Sequence, residues 1–317
     1  MAEEAEWRQA QAVEGKGSPT NRPPRRFKAR VTVSRRGSVL TLTGATYIPA
    51  LFGLLTGPLV ARALGPSGRG HVAAIIVFGN ALPILLSCGI PLAIGQALAK
   101  NAEDGPALLT SAIRYSCLIV PPAILIEIGL LLGPLGSMKG SVRLIAAVIL
   151  GFAPLSVLSF CLLQLLSAEG ALGSIALIRI VHLTSIACFT ILLWIIGDLT
   201  VTSYLIAQLL SDLASFIITV ICVGYRPKGR YPLRTLLRFG LRGFIGSVAS
   251  MANARIDQMI MVTYVSSAAL GIYAVSVSLA SMPLALSQSI ATRGFGEIAS
   301  AADPVTESSR YIRITAM

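Results

Sequence analysis

Between residues 38 and 292 the chain alternates apolar runs of 24 to 28 residues with short polar breaks. The runs cover 38–61, 71–98, 109–133, 142–166, 171–196, 201–224, 241–265 and 267–292. A helix of about 20 residues crosses a bilayer, so each run predicts one spanning helix. The fold class is therefore all-α, a polytopic membrane helix bundle. Proline recurs inside the runs: Pro49 and Pro58 in the first, Pro83 and Pro91 in the second, Pro121 and Pro122 in the third, Pro154 in the fourth, Pro283 in the eighth. Each proline removes a backbone N–H and bends its helix, leaving carbonyls that neighbours or water must satisfy. Kinks at this density suit helices that curve around a cavity.

The breaks between runs divide the chain. Residues 1–37 carry no apolar period and end in a basic cluster from Arg22 to Arg36. They read as a disordered basic tail on the cytoplasmic side. Residues 38–224 hold six spans and form an N-terminal six-helix lobe. Residues 225–240 are a basic linker in which Arg234, Arg238 and, just beyond, Arg242 recur every four positions while Leu233, Leu236 and Leu237 occupy another face. That spacing predicts an amphipathic helix lying in the membrane interface. Residues 241–317 open a second lobe with its first two spans. A weak internal repeat agrees: Gly70 and Ala73 match Gly271 and Ala274 at an offset of 201, Pro83 matches Pro283 at 200, and Ile113-Arg114 matches Ile312-Arg313 at 199. Same-orientation repeats of six spans produce two halves related by an axis along the membrane normal.

Composition sharpens this picture. Of 317 residues, 54% are hydrophobic and only 13% charged, with mean hydropathy +0.76; a soluble chain carries about a quarter charged residues. The net charge of +12 is then a statement about topology. With the N-terminus inside, 20 of the 26 Lys and Arg residues fall on the inner side and four outside, with Arg179 and Arg255 left in the membrane. The chain is thus expected to be multi-pass, with its N-terminus in the cytoplasm. No nucleic-acid partner is expected, because no aromatic side chains interleave with the basic ones for stacking. Cys88, Cys117, Cys161, Cys188 and Cys222 all lie in apolar runs without pair spacing and read as small core hydrophobes. His71 and His182 are too few and too far apart for a metal site, and no cofactor is expected.

The candidate chemistry sits on the seventh run. Ser247, Ser250, Asn253 and Asp257 follow at i+3 or i+4 and make one polar stripe, with Arg255 well inside the same helix. An ionised group in hydrocarbon costs at least about 2.5–3.5 kcal/mol, so such residues face a bundle interior or a wet cavity. At 1.5 Å per residue from the inner end, Arg179 lies ~12 Å deep and Asp212 ~18 Å, while Arg255 lies ~21 Å and Glu127 ~27 Å. These depths predict pairs of Arg179 with Asp212 and of Arg255 with Glu127, as structural ion pairs or as binding and coupling groups.

The basic N-terminus, ARALGPSGRGHVAAI (Ala61–Ile75), the linker LRTLLRFGLR, and ARIDQMIM followed by ALGIYAVSVSLA together resemble a known group. It is the O-antigen-type polysaccharide flippases of the multidrug/oligosaccharidyl-lipid/polysaccharide exporter superfamily, over residue 36 to the C-terminus. The resemblance implies two six-helix lobes that rock about a central cavity, moving a polyprenyl-diphosphate-linked oligosaccharide for polysaccharide or lipopolysaccharide synthesis. It implies a bacterial cytoplasmic membrane and membrane lipids as partners, with a polysaccharide polymerase and other assembly proteins as further candidates. It assigns Arg255 to the diphosphate, for which the guanidinium fork is suited, and Asp257 to sugar hydrogen bonds or cation coupling; Asn253 and Arg179 are the remaining substrate-binding candidates, and Glu127 and Asp212 the ion-pair or coupling candidates. Only two of the second lobe's six spans fall within 317 residues, so the sequence reads as an interrupted second lobe, not expected to move cargo by itself. A drug or cation exporter of the same superfamily would favour an acidic, aromatic cavity, which Trp7 and Trp194 do not supply. A membrane glycosyltransferase or polymerase would need a sizeable loop bearing acids or histidines; Glu103-Asp104 is the only adjacent acid pair in a loop between spans. The chain is not expected to be an enzyme.

The charge asymmetry makes a direct prediction. In a background without the native cysteines, a cysteine at residue 230 resists membrane-impermeant thiol reagents added from outside and reacts once the membrane is opened. Strong labelling from outside reverses the topology.

Overall fold

The computed structural model describes residues 35–138 and 140–280, with side chains from residue 56 onward except Leu172. The basic cluster between Arg22 and Arg30, Pro283 and the Ile312-Arg313 match lie outside the described residues. Within them the backbone is helical without a strand. Helix α1 (Arg35–Ser87) takes in the first two apolar runs, merged across a kink at Gly65, whose φ of 66° and ψ of 176° are not helical. It is followed by α2 (Ile90–Lys100), a 3₁₀ turn (Ala102–Asp104), α3 (Gly105–Leu118), α4 (Val120–Leu132), α5 (Gly140–Gly151), α6 (Ala153–Ala168), α7 (Leu172–Ile196) and α8 (Val201–Val223). The last described helices are the long α9 (Leu233–Tyr264) and α10 (Ser267–Ala280). Among the described residues, four helical stretches are long and apolar enough to cross a membrane, and a fifth forms if α3 and α4, bent by 41°, are one broken span.

Three of the expected kinks become breaks with prolines opening the new segments, while Pro49, Pro58 and Pro83 stay inside α1. Pro91, Pro121 and Pro154 each stand in the first turn of α2, α4 and α6, where a missing N–H is harmless. Pro121 and Pro122 cannot donate to the carbonyls of Cys117 and Leu118, and the span bends at Ile119 between them. The break before α2 is different. Cys88 and Gly89 both take positive φ, 46° and 73°. The carbonyl of Leu86 there accepts the Tyr115 hydroxyl at 2.7 Å, and that of Ile84 accepts Ser87 Oγ at 2.8 Å. Elsewhere the ends are closed locally: Gly197 and Gly224 cap α7 and α8, and Thr200 with Ser203 forms a reciprocal cap at the start of α8.

The core lies where α1, α2, α3 and α6 meet, with α7 and α8 on its flank. Val157, Cys161 and Leu165 recur every four residues on α6, all at zero exposure, against Ile75 and Leu82 of α1 and Ile90 and Ile94 of α2. Cys161 is thus a packed apolar residue. Outward, Leu125, Leu132, Leu144 and Ile195 are 71%, 71%, 70% and 69% exposed. Large aliphatic side chains turned outward on helices of spanning length describe a surface solvated by lipid. The chain is a multi-pass helical membrane bundle.

The basic linker has two parts. Residues 225–232 form a non-helical strap across the start of α3. The Lys228 N–H donates to the Pro106 carbonyl at 3.3 Å. Ser111 Oγ both donates to the Tyr231 carbonyl at 2.9 Å and accepts its N–H at 3.1 Å. The Tyr225 ring lies over Gly105, where a Cβ would come within 2.5 Å of its Cζ, and its hydroxyl donates to Glu169. Partial burial there pushes the Glu169 carboxyl above its ordinary range, while the Tyr225 bond pulls the other way. From Leu233 the rest of the linker continues without a break into the seventh apolar run, as one helix of 32 residues. Its basic stripe is therefore the first turns of α9 itself, stretched along that helix's own axis.

Helix α9 packs along α2 and α1, and its closest approach is Gly240 against Gly89, where a Cβ on Gly240 would lie 2.7 Å from the Gly89 carbonyl carbon. Gly89 has no room for a side chain and a φ that disfavours one. Gly240→Ala is expected to cost about 1–3 kcal/mol by overpacking, and Tyr115→Phe about 1–3 kcal/mol by orphaning the Leu86 carbonyl. Unfolding by titration with denaturing detergent reads both; unchanged midpoints would show that neither contact matters.

Candidate functional site

The buried face of α9 is marked by Leu236, Gly240 and Gln258, the last only 2% exposed although polar. Gln258 is held by its neighbours: its Oε1 accepts from Arg255 Nη1 at 3.2 Å, and its backbone N–H donates to Asp257 Oδ1 at 2.8 Å. Asp257 Oδ2 accepts the Tyr273 hydroxyl from α10. Arg255, Gln258, Asp257 and Tyr273 thus make one hydrogen-bonded run that ties α9 to α10. Arg255 itself is exposed, with no carboxylate at ion-pair distance among the described residues. Ser247, Ser250 and Asn253 are exposed as well, with Ser247 Oγ bonded back to the Gly243 carbonyl at 3.3 Å. The polar stripe faces out from the folded part, and Asp257 alone of its four members is tied to another helix.

The two charge pairs expected from depth do not form. Asp212 is bonded by His182 Nδ1 at 3.5 Å and by Gln208 Nε2 at 3.4 Å to each oxygen. Arg179 is exposed and does not reach it. His182 lies three residues, or ~4.5 Å, farther along α7 than Arg179, which brings it to the level of Asp212. Glu127 is half-buried on α4 with its carboxylate against Gly151, where a Cβ would sit 3.4 Å from Oε2. It faces the break between α5 and α6 and not Arg255, because α4 packs on α5. No cluster of three or more His, Cys, Asp or Glu occurs among the described residues.

A second arrangement was visible only as a repeat. The segment Pro66–Gly70 of α1 meets Ser267–Gly271 of α10. Ser67 Oγ and Ser267 Oγ are hydrogen-bonded at 2.8 Å across a separation of 200 residues. Gly70 lies against the Ser267 backbone, and Gly271 lies against the Pro66 backbone. This is a self-complementary contact, in which each repeat offers its glycine to the other's turn. Ala73 and Ala274, three residues beyond the two glycines, are both buried behind it. Arg69 borders the junction, with its Nε buried and without a hydrogen-bond partner.

Residues 36–294 match the family model described as polysaccharide biosynthesis protein. The chain belongs to that family. A solved structure from Pyrococcus furiosus, titled as a MOP superfamily transporter whose binding pocket has reversed polarity, superposes with a TM-score of 0.50 at 17% identity. The alignment covers 83% of this chain and 70% of that one. No curated protein matches the sequence. This member of the polysaccharide biosynthesis family therefore has the fold of a MOP superfamily transporter, as the motifs of the hairpin, linker and seventh run indicated.

The junction can be tested by cross-linking. Two hydroxyl oxygens 2.8 Å apart leave room for a disulfide without backbone movement. In a cysteine-free background with a protease site in the 225–232 strap, Ser67→Cys with Ser267→Cys should keep the two cleaved halves joined until reductant is added. Separation of the halves under oxidising conditions would remove the junction.

Proposed function

We propose that this chain is a membrane transporter that carries a lipid-linked oligosaccharide across the cytoplasmic membrane by alternating access. The observation that carries the reading is Arg255: an exposed guanidinium on the helix of the seventh apolar run, with no carboxylate at ion-pair distance among the described residues, in a family defined by polysaccharide biosynthesis. An uncompensated cation at membrane depth is costly unless an anion visits it. A diphosphate meets that need, since its oxygens match the two-pronged guanidinium. Gln258 and the Asp257–Tyr273 link hold the helix on which Arg255 stands, and Ser250 and Asn253 offer hydrogen bonds to sugar hydroxyls on the adjoining exposed side. The self-complementary junction at Ser67 and Ser267 supports two lobes that touch at one membrane face, and rocking about such a contact opens the other.

Arg255 is the test. With the full coding sequence in place in its own cell, Arg255→Met should lower surface polysaccharide about tenfold or more at unchanged protein level. Arg255→Lys should rescue it poorly, because an ammonium cannot reproduce the fork. Normal polysaccharide with Arg255→Met would overturn the assignment.

A further inference from the structure

From residue 213 to residue 256 the chain has no Asp or Glu, yet it carries seven Arg and Lys residues. Six of them, Arg226, Lys228, Arg230, Arg234, Arg238 and Arg242, are exposed on the strap and the first turns of α9. None forms an ion pair, since the one ion pair among the described residues is His182–Asp212. Of the acids near the start of α3, Asp104 is bonded by Asn101 at 3.2 Å, Glu169 is bonded by Tyr225, and Glu103 is exposed; none is within ion-pair distance of these residues. Arg234, Arg238 and Arg242 repel one another at i+4, and Arg234 adds positive charge to a helix N-terminus that is already positive and has no acid in its first turn. Such an arrangement calls for an external anion.

The position of the stripe identifies the anion's class. At 100° per residue, Arg234, Arg238 and Arg242 lie opposite the face buried through Leu236 and Gly240. Leu241 and Ile245 continue the same line and are 48% and 73% exposed. The line thus passes from guanidinium groups directly to uncovered aliphatic side chains, as a ligand with a charged head and a hydrocarbon tail requires. The aromatic residues here, Tyr231 and Phe239, pack against the core and leave no ring free to stack on a base. We propose that this stripe binds the phosphate headgroup of an anionic membrane lipid, with Arg238 and Arg242 on the phosphate and Leu241 and Ile245 along the first part of the tail. The inference is independent of the cargo reading: it concerns the strap end of α9, and Arg255 takes no part.

The test uses the full chain in neutral detergent, titrated with fluorescent phosphatidylglycerol at low salt. Each basic residue near a charged lipid surface contributes about a fivefold factor, so Arg238→Gln with Arg242→Gln should weaken binding about 30-fold. Replacing the same two residues by Lys should retain most of the affinity, and Arg62→Gln, at an exposed position away from the strap, should not change it. Phosphatidylcholine and inorganic diphosphate at matched concentration should compete poorly, the first lacking net charge and the second lacking a tail. Equal binding by the Gln variant, equal binding of phosphatidylcholine, or full displacement by inorganic diphosphate would each overturn the lipid site. The polysaccharide phenotype of Arg255→Met is read separately, so failure of one leaves the other standing.

Discussion

A helix that breaks within hydrocarbon frees carbonyls that no water can reach, and the rest of this structure follows from how they are satisfied. Three of its spans break, at Cys88–Gly89, Ile119 and Phe152. At the first, the Leu86 carbonyl is taken by Tyr115, a residue of the next span, so one hydroxyl joins two helices while closing the break. The positive φ of Gly89 then turns bare backbone outward, and Gly240 of α9 rests against it. A break that would be a defect in isolation has become the seat on which the second repeat begins.

That seat is one end of a longer contact. Near its start α9 meets Gly89, and beyond its far end the Ser267–Gly271 turn meets Pro66–Gly70. Both are backbone-to-backbone approaches through glycine, which suits a membrane setting where close packing supplies the association that the hydrophobic effect cannot. The far contact is also self-complementary, each glycine of the repeat resting on the other copy's backbone. Glycine at both copies follows from that symmetry: a side chain on either would collide with the other's backbone.

Charge is distributed by the same logic. The bundle pairs one acid, Asp212, with a histidine and a glutamine, and half-buries Glu127 against a glycine at a helix break. Apart from the half-buried Arg69, the described cations are exposed. Among the described residues, Arg255, Arg179 and the strap arginines have no carboxylate at ion-pair distance, which leaves them open to solvent, to lipid headgroups or to an anionic cargo. A basic strap pinned to α3 by Ser111 and Tyr225 carries that positive charge at a fixed place beside the N-terminal end of α9.

Much of this was legible in one dimension. The long apolar runs, the prolines that divide three of them, the glycine repeat at an offset of 201 and the family motifs all follow from the order of residues, because hydropathy and proline act locally on each helix. Tertiary structure decided what local rules cannot see. Depth along a span is one coordinate, and partner choice also needs the rotation of each helix and the identity of its neighbour; for that reason Asp212 found His182 instead of Arg179, and Glu127 turned to Gly151 instead of Arg255. Pro91 marked a kink in the second run, but the left-handed turn at Cys88 and Gly89 became visible only once Tyr115 and Gly240 stood beside it. The repeat, too, was a numerical coincidence until Ser67 and Ser267 came within hydrogen-bond distance, since only the folded chain brings residues 200 apart to a common axis.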